Sequence, residues 1–326
     1  MFNFFSESAS RFFASLQNIF ILYNSSTSMV KQNLRAHLSM LAATLFFGAN
    51  YWIAKGLMPD HLLPVQIIFL RILGTFIIAL VIQLSIKELR VMRIEKADYP
   101  RLILSSLMGV SFNQMMFFIG LNHTTPVDAA IINSANPIMV LVFAAWLLKE
   151  RISFPRLSGI LLGLTGALLL ILLGNPLTLK GGHFTGNMFI VANTAAWSLY
   201  LVIAKPLMVK YNPLVLMKWM FMIAFVGVFP FTIWQAIDID FRSFDTYTWF
   251  SILYIIIGTT FMAYFFVTYS LKRLSAPVVA YYTYIQPIIV AVIGIIVFAE
   301  LISWVKAVSG LLVFAGIYFV TKKNNL

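Results

Sequence analysis

At 326 residues the chain is 61% hydrophobic and 15% aromatic, and only 10% of it is charged. Soluble domains carry about 25% charged residues, so a soluble globular protein is excluded. The net charge of +12 would suit a nucleic-acid binder, but the basic residues sit in short connections between apolar blocks, and no nucleic-acid partner is expected. The absence of cysteine removes disulfides and thiol chemistry.

Residues 1–35 carry aromatic clusters (FNFF, RFF, IFILY) without a clean span. Two readings stand open: an interfacial amphipathic helix, or an extension upstream of a working start at Met29. A secretory signal is not expected, because no basic region precedes the apolar part. Ten apolar blocks follow, at 36–57, 64–84, 101–121, 127–148, 157–174, 186–208, 214–236, 247–270, 277–298 and 305–321. At about 1.5 Å of rise per residue, helices of this length match a hydrocarbon core about 30 Å thick. The predicted fold is therefore an all-α integral membrane protein with ten transmembrane helices and lipid as its surroundings.

Charge orients the chain. With the N-terminus inside, Arg35, Lys87, Arg90, Arg93, Lys96, Arg101, Lys149, Arg151, Lys210, Lys272, Arg273 and Lys322 fall on one side. The other side keeps mainly Lys180, Arg242 and Lys306, with the acidic loop DIDFRSFD. Both termini are predicted to be cytoplasmic, in the cytoplasmic membrane of a prokaryote.

A repeat organises these blocks. IAKGLM at 53–58 returns as IAKPLM at 203–208, and Pro137, Glu150 and Gly166 meet Pro287, Glu300 and Gly316 at the same offset. Two halves of five spans are expected, 36–174 and 175–323, after an extension at 1–35. An odd number of spans per half forces the second half to enter the membrane inverted. Inverted repeats belong to carriers whose site lies near the midplane between the halves.

SANPIMVLVFAAWLLKERIS, repeated as YIQPIIVAVIGIIVFAELIS, resembles the EamA domain of the drug/metabolite transporter superfamily. So does Arg71 after a proline-led second span (LPVQIIFLRILGTF). The resemblance covers about residues 36–321 and implies a ten-helix carrier, often an exporter of amino acids or other small metabolites. It does not name a substrate.

Polar residues inside spans are the candidate substrate site, since an unpaired polar group in hydrocarbon costs several kcal/mol. In the first half these are Asn50, Arg71, Asn113, Gln114, Asn133 and Asn136. Arg71 could hold a substrate carboxylate, or snorkel or pair within the bundle; buried at that depth it calls for a partner. The amides could line a cavity or act as interhelical glue. In the second half the counterpart is aromatic: Trp197, Tyr200, Tyr264, Tyr281, Tyr282 and Tyr284, with Gln286. Such walls suit apolar, aromatic or cationic solutes, while packing is the competing reading. Pro137 and Pro287 are the candidate hinges, each freeing a carbonyl one turn back.

Other features read as structural. Asp128 is a helix N-terminal charge and a lesser candidate for proton coupling. Lys55 and Lys205 are expected to snorkel, and Ser153 and Ser303 to cap the helices that follow. Gly159, Gly163 and Gly166 mark close packing against span 10 or a dimer face. No metal, cofactor or catalytic constellation is expected: His37, His61, His123 and His183 do not cluster, and Asp238-x-Asp240 fits an acidic outer loop. The predicted function is a secondary transporter of a small organic solute, working as a monomer by alternating access around a cavity lined by spans 1, 3, 4, 6, 8 and 9. A sugar-phosphate or nucleotide-sugar exchanger, a lipid-handling protein and an intramembrane enzyme are the alternatives.

Overall fold

The computed structural model describes residues 33–148, 154–173, 182–299 and 303–321, and every regular element among them is helical. The extension to residue 32, Glu150, Ser153, Glu300 and the last five residues lie outside the described residues. The helical bodies are α1 (33–57), α2 (Pro64–Ser85), α3 (Lys96–His123), α4 (Pro126–Leu147), α5 (Phe154–Leu173) and α6 (Gly182–Lys210). They continue with α7 (Pro213–Ile237), α8 (Thr246–Arg273), α9 (Ala276–Phe298) and α10 (Trp304–Thr321). Seven of these, α2, α3, α4 and α6 to α9, are long and apolar enough to cross a membrane, and Trp304–Gly316 in α10 is a shorter apolar stretch.

The helices begin where their sequences supply caps. Prolines 64, 126 and 213 occupy first turns, where a missing N–H costs nothing. Thr125 Oγ1 accepts from the Asp128 amide at 3.1 Å, Asn212 Oδ1 from Leu214 at 2.9 Å and Ser303 Oγ from Lys306 at 3.3 Å. Asp245 accepts from the Thr248 amide at 2.8 Å, and the Thr248 hydroxyl and amide hold its carboxyl below the usual carboxylate range.

The bundle encloses a set of polar side chains within its largely apolar core and exposes large apolar side chains on its outside. Trp234, Ile296 and Trp304 are 76%, 76% and 82% exposed, whereas Asn50, Arg71, Gln114 and Asn136 are buried. In water this arrangement would leave large apolar patches uncovered. In a bilayer the exposed side chains meet lipid and the polar ones find partners in the bundle. The protein is an all-α, multi-pass membrane protein.

Contacts recur at the 150-residue offset of the repeat. Helix α2 packs on α7 and α5 on α10, each pair joining equivalent helices. A Cβ on Gly166 would stand 2.8 Å from the Ser309 carbonyl, and one on its equivalent Gly316 would stand 2.6 Å from the carbonyl of Gly159. The glycines of α5 therefore bring α10 of the same chain into backbone contact. Lys55 Nζ donates to the Leu121 and Asn122 carbonyls at 2.9 Å, ending α3. Lys205 Nζ does the same at the end of α8, donating to Leu271 and, at 2.7 Å, to Leu274. The expectation that these lysines snorkel is corrected: each satisfies helix C-terminal carbonyls that lack intrahelical donors.

Two irregularities also come in pairs. Wide π-turns occupy Leu107–Phe112 in α3 and Tyr254–Met262 in α8. Helix α4 breaks after Asn133, one turn before Pro137, and α9 tightens to a 3-10 turn at Tyr282–Tyr284, just before Pro287. Each disturbance borders residues that converge at the centre of the bundle.

Candidate functional site

A cavity of about 80 Å³ lies where α1, α2, α3, α4, α6, α8 and α9 meet. At roughly 15 Å³ per water it holds a handful of water molecules. Asn50, Arg71, Asn113, Gln114, Asn133, Asn136, Trp197, Tyr264 and Gln286 all line it. Their convergence joins residues up to 236 positions apart, from Asn50 to Gln286, in one pocket.

The amides are held by an interhelical network. Thr194 Oγ1 donates to Asn133 Oδ1 at 2.5 Å, and Asn133 Nδ2 donates to the Tyr51 hydroxyl at 2.6 Å. Tyr51 in turn donates to Gln286 Oε1 at 3.3 Å. Asn136 donates to Thr283 Oγ1 at 3.0 Å and accepts from Ser198 at 2.7 Å. Asn113 and Asn193 exchange side-chain-to-backbone bonds of 3.2 and 2.9 Å, and Thr259 donates to Asn50 at 3.2 Å. Every one of these bonds joins two different helices, among them α1 to α9, α4 to α6 and α3 to α6, so the network positions the wall as well as lining it. Gln114 Oε1 is buried without a hydrogen-bond partner among the described residues.

Aromatic rings complete the lining. Trp197 meets Phe47 edge-on at 5.9 Å and Tyr264 at 5.5 Å, and Tyr51 meets Phe117 at 5.2 Å. The Tyr264 hydroxyl donates at 2.8 Å to the carbonyl of Gly109, inside the first π-turn. A Cβ on Gly109 would lie 2.3 Å from the Tyr200 ring, so only glycine admits this packing.

Arg71 is the one cation among the described residues that line the cavity. Its Nε donates to Thr260 Oγ1 at 2.9 Å, and its guanidinium carbon stands 4.7 Å from the Phe118 ring centroid. Among the described residues no carboxylate lies within ion-pair distance of it. The partner expected for this residue is thus a hydroxyl and a ring. Thr260 is turned toward it by the second π-turn, where its hydroxyl donates to the Ile255 carbonyl five residues back at 2.6 Å.

Four of the expected site residues are placed elsewhere. Tyr200 is buried behind Trp197, ring centroids 5.0 Å apart, and against Gly109. Tyr282 shares a 2.7 Å hydrogen bond with His37 of α1. Tyr281 stacks on Tyr284 at 6.2 Å, and Tyr284 packs on Phe314 of α10. For the three tyrosines of α9 the 3-10 turn explains the difference: three residues per turn instead of 3.6 change which side chains share a face. Thr283 and Gln286 face the cavity and the tyrosines do not. Conversely, Phe47, Tyr51, Phe117, Asn193, Thr194 and Thr283 line it without having been singled out. Asn193, Thr194 and Thr283 carried the same signal as the residues singled out, polarity within an apolar span; the aromatic ones carried none.

Asp128, at the first turn of α4, pairs with Lys306 of α10 at 3.2 Å, with both side chains buried. It is remote from the cavity lining and ties two helix ends together.

A lipid-embedded helical bundle with a buried, amide-lined cavity at a repeat interface is the architecture of a membrane transporter. The profile of the EamA-like transporter family matches twice, at residues 34–172 and 184–322, and the chain belongs to that family. It is similar to the uncharacterized transporter YetK of Bacillus subtilis, 24% identical over 91% of this chain and 89% of that protein. It is also 21% identical to YyaM of the same organism, over 90% and 97% of the two chains. More distantly it resembles the protein WALLS ARE THIN 1 of Arabidopsis thaliana, 24% identical over 70% of this chain and 69% of that one. A crystal structure with 18% identity superposes with a TM-score of 0.61 over 89% of this chain and 96% of the other, a likeness of fold. The protein is a membrane transporter, and its family implies a small-molecule substrate.

Proposed function

We propose that the chain is a ten-span secondary carrier made of two inverted five-helix repeats, 36–174 and 175–323, which alternates access to the central cavity. One observation carries this reading. Phe47 contacts Trp197, and Gln114 donates to Tyr264 at 3.3 Å; in both pairs the partners are exactly one repeat apart. Equivalent residues touch each other only beside an axis relating the halves, so the cavity sits on that axis. Rocking one half against the other then opens either end by equivalent motions.

In this reading Asn50, Arg71, Asn113, Gln114, Asn133, Asn136, Trp197, Tyr264 and Gln286 contact the solute, and the helix breaks beside Pro137 and Pro287 are the hinges. The solute is an amino acid or related small organic compound, moved outward across a prokaryotic cytoplasmic membrane with both chain termini inside. A sugar-phosphate or nucleotide-sugar exchanger is disfavoured, since a dianion calls for several cations and the lining carries Arg71 alone. The test is counterflow in proteoliposomes of purified protein against a panel of labelled amino acids, organic acids and a sugar phosphate. Saturable, trans-stimulated flux is expected for one solute class. Folded protein that moves none of them would overturn the carrier reading.

A further inference from the structure

The central cavity is electrically lopsided. Arg71 is 4% exposed, and of its five N–H groups only Nε–H is engaged, by a neutral hydroxyl. Its two terminal nitrogens have no hydrogen-bond partner among the described residues. Among the described residues that line the cavity there is no aspartate or glutamate. A guanidinium does not shed its proton in proteins, so Arg71 is a largely buried positive charge that no carboxylate among the described residues compensates. Desolvated charge of this kind is stabilised by a counter-ion, and none comes from the described residues.

We infer that the missing counter-ion is the solute: a small monocarboxylate with an apolar or aromatic body and no amino group. This rests on the carrier reading and, within its class of amino acids and related small organic compounds, selects the amine-free acids over the amino acids themselves. The planar fork of Arg71 matches a carboxylate in two-point contact. One carboxylate neutralises the site, whereas a dianion would leave a net negative charge facing aromatic walls. A zwitterion fails for the opposite reason. Its ammonium would find amide oxygens but no anion, and would share a low-dielectric cavity with Arg71. The rings of Phe47, Trp197 and Tyr264 then receive the solute body.

The same electrostatics gives a driving force. The empty carrier bears the charge of Arg71 in its path and the loaded one is neutral there, so each turnover carries one negative charge across. An inside-negative membrane potential favours outward movement of such a charge. With no acid in the lining to take a proton or a metal cation, export needs no coupling ion.

The test uses the full chain. Binding of benzoate, its uncharged isostere benzamide and the zwitterion phenylglycine is measured by calorimetry in detergent. Charge movement is then recorded from proteoliposomes on a solid-supported membrane, where leakage of neutral benzoic acid is silent. Benzoate is expected to bind at least about tenfold more tightly than either analogue, as a charge-assisted hydrogen-bonded pair allows. A benzoate jump should give a current of the sign of anion entry, and benzamide none. Arg71→Gln should abolish the preference. Arg71→Lys and Thr260→Val keep the charge and should retain it at lower affinity, which separates lost recognition from lost folding. Equal binding of benzamide or phenylglycine, binding of none of the three, or an unchanged preference in Arg71→Gln would overturn the inference. Selective benzoate binding without current would instead sink the carrier reading and leave the ligand class intact. Uptake of radiolabelled phenylglycine into the same proteoliposomes, without benzoate preference, would do the reverse.

Discussion

Position 71 in the first half is an arginine reaching a polar cavity; position 221, its equivalent in the second half, is a phenylalanine buried edge-on against Tyr264 at 5.2 Å. The same divergence runs through the centre of the molecule. Gln114 faces Tyr264, Asn136 stands where the other half has Gln286, and Phe47 where it has Trp197. Away from the centre the halves agree: paired π-turns, paired glycine contacts between α5 and α10, paired lysines closing α3 and α8. Backbone-level devices have been kept in both copies because each half must pack the same way. The side chains at the centre differ between the halves, and both halves contribute to one shared cavity lining.

That contrast can be broken experimentally. The largest expected effect is at the glycine contacts. Gly316→Ala places a Cβ 2.6 Å from backbone atoms of Gly159 and Gly163, which cannot swing aside, and should cost about 1–3 kcal/mol or more. Gly166→Ala meets the Ser309 carbonyl at 2.8 Å and should cost nearly the same. Melting in detergent checks both, and a large inequality would break the equivalence of the scaffold.

Next come the network positions, where the halves should differ. Asn136→Ala removes bonds to Thr283 and Ser198 and should destabilise by about 2 kcal/mol. Gln286→Ala loses only the 3.3 Å bond from Tyr51 and should cost about 1 kcal/mol or less. Equal losses would contradict the unequal networks.

The lysine caps should behave as a matched pair at smaller scale. Lys55→Met and Lys205→Met each leave two helix-end carbonyls without a donor and should each cost about 1 kcal/mol. If one proves neutral, capping is not a shared device of the repeat. The smallest effect belongs to Tyr284→Phe. Its buried hydroxyl has no hydrogen-bond partner among the described residues, so stability should hold or rise slightly and solute flux should be unchanged. Loss of flux would return Tyr284 to the site.

Much of this architecture was legible in residue order. Span length against bilayer thickness gave a multi-pass helical protein, and the IAKGLM/IAKPLM echo gave the repeat. Polar residues in apolar spans picked out Asn50, Arg71, Asn113, Gln114, Asn133 and Asn136, because burying such groups in hydrocarbon is costly enough to need a reason. The tyrosines of YYTYIQP were misjudged for a physical cause. The direction of each side chain depends on whether the backbone turns every 3.0 or 3.6 residues, and the packing of α9 against its neighbours selects that.

Composition and periodicity follow from local chemistry: each span must hide its own backbone, and hydropathy records where it does so. The contacts of the site do not, since they join helices whose facing residues are set by rotation about each axis. That Arg71 meets Thr260 and a ring instead of an acid, that Lys55 and Lys205 close helices instead of reaching for the surface, and that Gln114 touches its own counterpart were decided only when the bundle closed. Those choices are made by many weak packing contacts acting together, and no single stretch of sequence carries them.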